Sequence, residues 1–242
     1  MKIAALSDFH IGSSRRGDCF RHAESAFHSY LEMLEESHER IVLLGDIFQA
    51  EHGPSLSTKG KTEELHRAQA FMPELWQRMQ GPQYVYLHGN HDAVAAAVSG
   101  ARETLRIDED GFSIFFVHGH QYDPLLGRVY PLAQASTWFS GRLRNFRCNA
   151  LADWLEHQDI KLKNSAFQGQ RGPYVAAARE LLVKHRVDAV LMGHTHVPQC
   201  MTLAEGIFAN TGTCSMGLKM HVSIDTKLRS INLRHGTQRA AS

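Results

Sequence analysis

The sequence has little that would place it outside a reducing, aqueous setting. It carries four cysteines in 242 residues, Cys19, Cys148, Cys200 and Cys214, scattered and with no C-x-x-C. That spacing argues against a disulfide framework and a thiolate zinc site, and it suits a reducing cytoplasm. No run approaches the roughly 18 apolar residues of a membrane helix. The opening MKIAALSDFH is only briefly apolar before Asp8 and His10, so no secretory signal is expected. Neither sign of charge dominates, since the formal net charge is +1. Charge alone therefore gives no reason to expect nucleic acid or an anionic membrane surface as a partner. Internal repeats and low-complexity tracts are also missing. A cytoplasmic protein with an ordinary packed core is the expectation.

Histidine is the plentiful residue, at 16 copies, and its placement follows from the strands. Five short apolar runs read as strands: KIAAL (2–6), RIVLL (40–44), QYVYL (83–87), FSIFFV (112–117) and VDAVLM (187–192). They are continuous rather than alternating, which predicts burial on both faces. Helix-like segments at 19–38 and 62–80 separate the first three and imply βαβ units. After residue 200, IFAN, LKMHVSID and LRSINLR read as short strands, the last two joined by a DTK turn, closing a second, more antiparallel sheet. Between about 124 and 172, Val129, Leu132, Phe139 and Leu143, then Phe146, Leu151, Trp154 and Leu155, recur at helical spacing. This predicts a helical hairpin, a cap insert at 124–172 within a single domain spanning 1–242. Pro173 is placed to open a further helix at 173–185, and the terminal TQRAAS is expected to fray.

Each apolar run ends in a polar cluster. KIAALS is followed by Asp8-Phe9-His10, RIVLL by Gly45-Asp46, QYVYLH by Gly89-Asn90-His91-Asp92, FSIFFV by His118-Gly119-His120, and VDAVLM by Gly193-His194-Thr195-His196. Sites in open α/β sheets form outside the carboxyl ends of strands, so these groups should converge. Singly, each could be a turn or a helix cap; together they supply carboxylate, amide and imidazole ligands suited to Mn²⁺, Fe or Zn²⁺. Seven ligands are too many for one ion. Two ions need a shared ligand, and a carboxylate can bridge them at about 3.5–4 Å.

The ordered set D-x-H, G-D, G-N-H-D, H-G-H and G-H-T-H resembles the calcineurin-like metallophosphoesterase family over about residues 1–215. The resemblance implies a four-layer α/β/β/α sandwich of two mixed sheets. It implies that Asp8, His10 and His196 hold one divalent ion, that Asn90, His118 and His194 hold a second, and that Asp46 bridges them. Mn²⁺ is expected first, with Fe or Zn²⁺ as alternatives. His91 matches the histidine that protonates the leaving group or holds a phosphoryl oxygen, and Asp92 matches the acid that orients it. The implied reaction is phosphate-ester hydrolysis by in-line attack of a hydroxide bridging the ions.

The substrate depends on the cap. Arg128, Arg142, Arg144 and Arg147 lie there among Trp138, Phe139, Phe146 and Trp154, and with His120 they are candidate substrate contacts. A helical cap at this place is similar to that of the UDP-2,3-diacylglucosamine pyrophosphatases of lipid A synthesis. Those enzymes usually carry arginine at the His91 position and H-G-D where this chain has His118-Gly119-His120. A phosphomonoesterase or phosphodiesterase is therefore expected first, the lipid-linked pyrophosphatase second, and a non-catalytic scaffold of the same fold third. The expected partner is a small or lipid-linked phosphate ester. Peripheral membrane contact through the cap stays open, and so does the oligomeric state. His22, His28, His38, His66 and His157 are expected on solvated helix surface, His88 in buried packing, and Asn210-Thr211-Gly212 in a turn that could approach the site.

Overall fold

A computed structural model describes residues 1–15, 18–124, 135, 137–143, 151 and 172–236. Most of the expected cap, including Arg128, Arg144, Arg147, Phe146, Trp154 and His157, lies outside the described residues, as does the TQRAAS end. In chain order the elements are β1 (Lys2–Leu6), α1 (Glu24–Ser37), β2 (Arg40–Leu44), α2 (Thr58–Phe71), α3 (Pro73–Met79), β3 (Tyr84–Leu87), α4 (Ala95–Val98), β4 (Thr104–Glu109), β5 (Phe112–Val117), α5 (Pro173–His185), β6 (Ala189–Met192), β7 (Gln199–Thr202), β8 (Ile207–Asn210), β9 (Met220–Asp225) and β10 (Ser230–His235).

The strands form two five-stranded mixed sheets, ordered β10-β9-β1-β2-β3 and β4-β5-β6-β8-β7. Strands β1, β2 and β3 run parallel, as do β5, β6 and β8. The pleat divides each apolar run between two layers. Ile3, Ala5, Val42 and Leu44 face inward to meet Ile114, Phe116, Ala189 and Leu191 of the other sheet. Ala4, Leu6, Ile41 and Leu43 face outward onto α1, α2 and α3, where they join Phe27, Leu31, Leu65 and Leu75. Phe115, Val117, Val190 and Met192 pack outward beneath α5 against Val175, Ala178 and Leu182. Three apolar layers thus hold helix, sheet, sheet and helix in the expected four-layer α/β/β/α order. Burial on both faces explains why these runs are apolar throughout.

Four differences from the sequence expectation have local causes. The helix-like stretch 62–80 is two helices, because Pro73 offers no N–H to a continuing helix and the preceding Met72 leaves helical geometry (φ −129°, ψ 70°). Ser57 opens α2, accepting from Gly60 N–H at 3.1 Å. The first helix begins at Glu24 rather than near 19, after a loop in which Phe20 is buried. Strands β4 and β7 were not legible as apolar runs: each is an edge strand, with burial alternating over TLRIDE and QCMT. Finally, the carboxyl-terminal hairpin joins the first sheet, antiparallel to β1, instead of closing the second. Its Val222 and Ile224 extend the inward face of β1 and cover an edge that would otherwise lack partners.

Candidate metal centre

Because β1, β2 and β3 are parallel, as are β5 and β6, the segments that leave their carboxyl ends gather at one rim. Backbone hydrogen bonds fasten those segments together. Asp8 N–H donates to Gly45 O, His10 N–H to Asp46 O, and Gly193 N–H to His118 O, each at 3.0 Å. Asp8, His10, Asp46, His194 and His196 all adopt positive φ, between 52° and 69°, five of the ten non-glycine residues that do so among those described. This region is disfavoured for L-residues and persists where the surroundings over-determine it. Two glycines allow the close approach. Gly45 has φ 89°, and a Cβ there would overlap the His118 ring; a Cβ at Gly89 would overlap the Asp46 carboxylate.

Several of the expected side chains come together. His10 Nε2 and His196 Nε2 lie 3.1 Å apart, and His196 Nε2 is 3.2 Å from Asp8 Oδ1. On the other side His118 Nε2 is 3.1 Å from Asp46 Oδ2. Three sets of ligand atoms each fall within 4.8 Å: Asp8, His10 and His196; His10, Asp46 and His91; Asp46, His118 and His194. Asp46 belongs to two of them and stands between the outer pair. Asn90 sits beside His91, whose N–H donates to Asp46 Oδ1 at 2.8 Å.

This donor set fits divalent ions. Asn90 Oδ1 is buried and has no hydrogen-bond partner, and the buried Asp8 Oδ1 and His118 Nε2 face other would-be ligands, His196 Nε2 at 3.2 Å and Asp46 Oδ2 at 3.1 Å. Such atoms are costly unless something outside the protein satisfies them. The imidazoles are braced from behind, as metal-bound histidines commonly are. His118 Nδ1–H donates to Leu44 O at 2.8 Å, leaving Nε2 for a ligand. His194 Nε2 meets Asp123 Oδ2 at 2.9 Å. Electrostatics keep the carboxylates ionised. Burial disfavours charge on Asp8, but the adjacent His196 holds its carboxyl below the usual range. Burial is likewise overridden at Asp46 by His118 and His91. Burial opposes the His118 imidazolium, yet Asp46 raises it to about 9. His10 is pushed down by burial and by His91.

Beneath the site, the 210–215 segment supports Asp8. Thr213 Oγ1 donates to Asp8 O at 2.8 Å, and Ser7 Oγ contacts both Asp8 Oδ2 and Thr211 Oγ1. Asn210 Nδ2 donates to Gly193 O at 2.5 Å, so the Asn210-Thr211-Gly212 turn does approach the site. His120 lies at its edge, its ring centroid 5.5 Å from that of His118, and burial with the His118 charge lowers it to about 4.

Three placements depart from expectation. Asp92, expected to orient His91, is instead a backbone clamp. Its carboxylate accepts from Gly89 N–H (2.6 Å), Ile47 N–H (2.7 Å), Tyr86 Oη–H (2.6 Å) and, at 3.3 Å, Asp46 and Phe48 N–H. The carboxylate beside the His91 ring is Glu51, with Oε2 3.3 Å from Nδ1. His38, expected at the surface, is buried and its Nε2 pairs with Ser223 Oγ at 2.9 Å; His22 is half-buried, with Nε2 near Cys214 O and Leu218 O. His66 is exposed as expected, and His88 is half-buried. Of the cap arginines only Arg142 is described. Its Nη2 donates to Pro54 O at 3.1 Å and its guanidinium lies 5.1 Å from the Trp138 ring centroid.

A sequence profile of the calcineurin-like phosphoesterase family matches residues 1–198. The chain belongs to this family. The family is metal-dependent, in keeping with the donor cluster above. Among curated proteins, the UDP-2,3-diacylglucosamine hydrolase of Shewanella oneidensis is 25% identical over 221 residues, spanning 82% of this chain and 83% of that protein. Among solved structures, Yfce, a phosphoesterase from E. coli, aligns over 97% of this chain and 98% of its own at 16% identity and a TM-score of 0.44. A single mutant of Vps29 from Entamoeba histolytica aligns over 98% of this chain and 100% of its own at 13% identity and a TM-score of 0.47. No helix among the described residues is long and apolar enough to cross a membrane.

The family motifs account for Asp8 through His196, but not for Glu51 or for Asp123 as a bracing residue. Asp123 had a signal, since HGHQYD runs from the fourth motif through one 3₁₀ turn (His120–Tyr122). Glu51 had none beyond following the Gly45-Asp46 loop.

Proposed function

We propose that the chain is a two-metal phosphoesterase acting on a phosphomonoester or phosphodiester. One observation carries this reading: carboxylates and imidazoles that follow five strands form three ligand sets, two of them sharing Asp46, and the neighbouring Asn90 Oδ1 is buried without a partner. Asp8, His10 and His196 would hold one ion and Asn90, His118 and His194 the other, with Asp46 shared. Bound ions of the Mn²⁺, Fe or Zn²⁺ type would supply Lewis acidity toward phosphoryl oxygens and make water nucleophilic near neutral pH.

The chain's own groups do the rest. The buried rim, closed beneath by the 210–215 segment, keeps the reacting phosphorus in a setting where fixed charges act strongly. His91 is half-buried, with a side chain 17% exposed and Nε2 3.9 Å from Asp46 Oδ2. It stands beside the ligand set, suited to stabilising a phosphoryl oxygen or giving a proton to the leaving oxygen. The arginines and aromatics that the sequence carries between 124 and 172 are assigned the selection of substrate.

The Shewanella relative favours a second reading, hydrolysis of a lipid-linked nucleotide pyrophosphate. The experiment compares initial rates with added Mn²⁺ on 4-nitrophenyl phosphate, bis(4-nitrophenyl) phosphate and UDP-2,3-diacylglucosamine, beside an Asp46→Ala control and bound-metal analysis. Turnover of either aryl ester that requires Mn²⁺ and Asp46 supports the first reading. Turnover confined to the nucleotide lipid supports the second. Purified protein that binds no metal and turns over none of the three would leave only a scaffold.

A further inference from the structure

We propose that Glu51, anchored by Lys61, is a positioning residue that orients the imidazole of His91. This rests on the reading of His91 given above. Glu51 sits on a 3₁₀ turn, Ala50–His52, that leaves the Gly45-Asp46 loop. The turn is joined to His91 twice, through the backbone, where Ala50 N–H donates to His91 O at 3.1 Å, and through the side chains, where Glu51 Oε2 lies 3.3 Å from Nδ1. The Glu51 side chain is 3% exposed. A carboxylate so buried needs compensating partners. Lys61, reaching from α2, supplies one, with Nζ donating to Oε1 at 2.7 Å. His91 is the other.

The consequence is directional. An imidazole has two ring nitrogens on opposite sides and a broad torsion about its Cβ–Cγ bond. With Nδ1 facing the Glu51 carboxylate at 3.3 Å, Nε2 is on the side of Asp46 and the ligand cluster. Asp92 cannot do this, because its two oxygens are taken up by backbone amides and Tyr86. The turn is also seated from above. A Cβ on Gly141 would come within 2.7 Å of the His52 ring, and Arg142 donates to Pro54 O. The segment that carries Glu51 is thereby pinned between the loops of the site and the described helical residues 137–143.

Two measurements test this on the full-length protein. The first is steady-state kinetics with Mn²⁺ on 4-nitrophenyl and phenyl esters of phosphate, in mono- and diester form. It compares wild type, Glu51→Gln, Glu51→Asp, Lys61→Met, His91→Ala, Asp46→Ala and the Glu51→Gln/His91→Ala double variant. Glu51→Gln is expected to keep its bound metal and to lower kcat about tenfold or more, with KM within about twofold. The loss should be larger on the phenyl esters, whose leaving groups need more help, and Glu51→Asp should recover part of it. The double variant should be no slower than His91→Ala alone. The second is long-range ¹H–¹⁵N spectroscopy of the Zn²⁺-loaded protein. It should show His91 with a protonated, hydrogen-bonded Nδ1 in wild type and lose that signature in Glu51→Gln. Additive losses in the double variant, or an unchanged Nδ1 signature in Glu51→Gln, overturn the proposal. If Asp46→Ala leaves the rates unchanged, it is the phosphoesterase reading that fails, and the Nδ1 signature then decides whether Glu51 orients the ring.

Discussion

Replacing Asp92 by asparagine separates a clamp from a catalytic partner. The side chain keeps its size but loses its charge and one acceptor. If the new amide nitrogen takes the Oδ1 position, it faces Gly89 N–H, bonded at 2.6 Å in the native protein, and Asp46 N–H at 3.3 Å. If it takes the Oδ2 position, it faces Ile47 N–H at 2.7 Å and Phe48 N–H at 3.3 Å, and only Tyr86 could reverse its hydroxyl to accept. Either way one short bond to a charged acceptor is lost, about 1.5–3 kcal/mol, and a second buried donor is left poorly satisfied, about 1 kcal/mol. Part of this is returned. Burial and the neighbouring Asp46 already raise the Asp92 pKa, so the native charge is held at some cost. A net loss of about 2–3 kcal/mol follows, which in a chain of this size lowers Tm by roughly 5–10 °C. The assay is thermal unfolding of the variant, with kcat measured well below its Tm. Activity per metal-loaded molecule should stay within a few-fold of wild type. An unchanged Tm with kcat as low as that of His91→Ala would refute this account and return Asp92 to the orienting role the sequence motif suggests.

Two further predictions concern stability. His221 is buried against Tyr30, whose hydroxyl donates to Nδ1 at 2.8 Å. Burial, with added repulsion from His38, Arg234 and His235, lowers it from 6.5 to about 4. Above pH 6.5 it is neutral folded or unfolded and contributes no pH dependence. As pH falls from 6.5 toward 4, the unfolded chain takes up a proton that the folded one refuses, so stability is lost across that window, about 3 kcal/mol in all. Urea unfolding at pH 7 and pH 4.5 should show His221→Gln losing about 2–3 kcal/mol less than wild type between the two; equal losses would mean the imidazole titrates freely. Gly45→Ala combines a side chain at φ 89° with overlap of the His118 ring. Strain of about 1–2 kcal/mol adds to about 1–3 kcal/mol of overpacking, and His118 must move. Calorimetry and metal analysis should find both Tm and bound metal reduced, and a variant that keeps both would show that the loop can yield.

The sequence exposes the parts of this protein whose chemistry is carried by residue type. Buried central strands must be apolar on both faces, so KIAAL, RIVLL and FSIFFV announce themselves, and the polar residues that end them stand out by contrast. Edge strands face no such demand. TLRIDE needs only Leu105 and Ile107 turned inward, and QCMT still less, so neither rises above a loop in the sequence. The break at Pro73 was legible in principle, since proline inside a helical pattern marks a helix start or a kink. The side of β1 on which the last hairpin pairs was not, because Val222 and Ile224 would suit the inner face of either sheet.

Within the site the same division separates ligands from the groups that aim them. Asp8, His10, Asp46, Asn90, His118, His194 and His196 are recognisable because their residue types suit an ion and follow the strands in order, and five of them adopt left-handed backbone in tight loops. A positioning carboxylate is specified only by where it ends up. Asp92 is adjacent to His91 in the chain, but its carboxylate is bound by amides of the 45–48 and 89–92 segments. Glu51 is 40 residues away, and it arrives because the turn after Asp46 folds back on His91 O and because Lys61 on α2 neutralises it. The acid adjacent in sequence is thus not the one whose carboxylate lies 3.3 Å from the His91 Nδ1. The loop after Asp46 contacts His91 through Ala50 N–H and is also the one against which residues 137–143 pack.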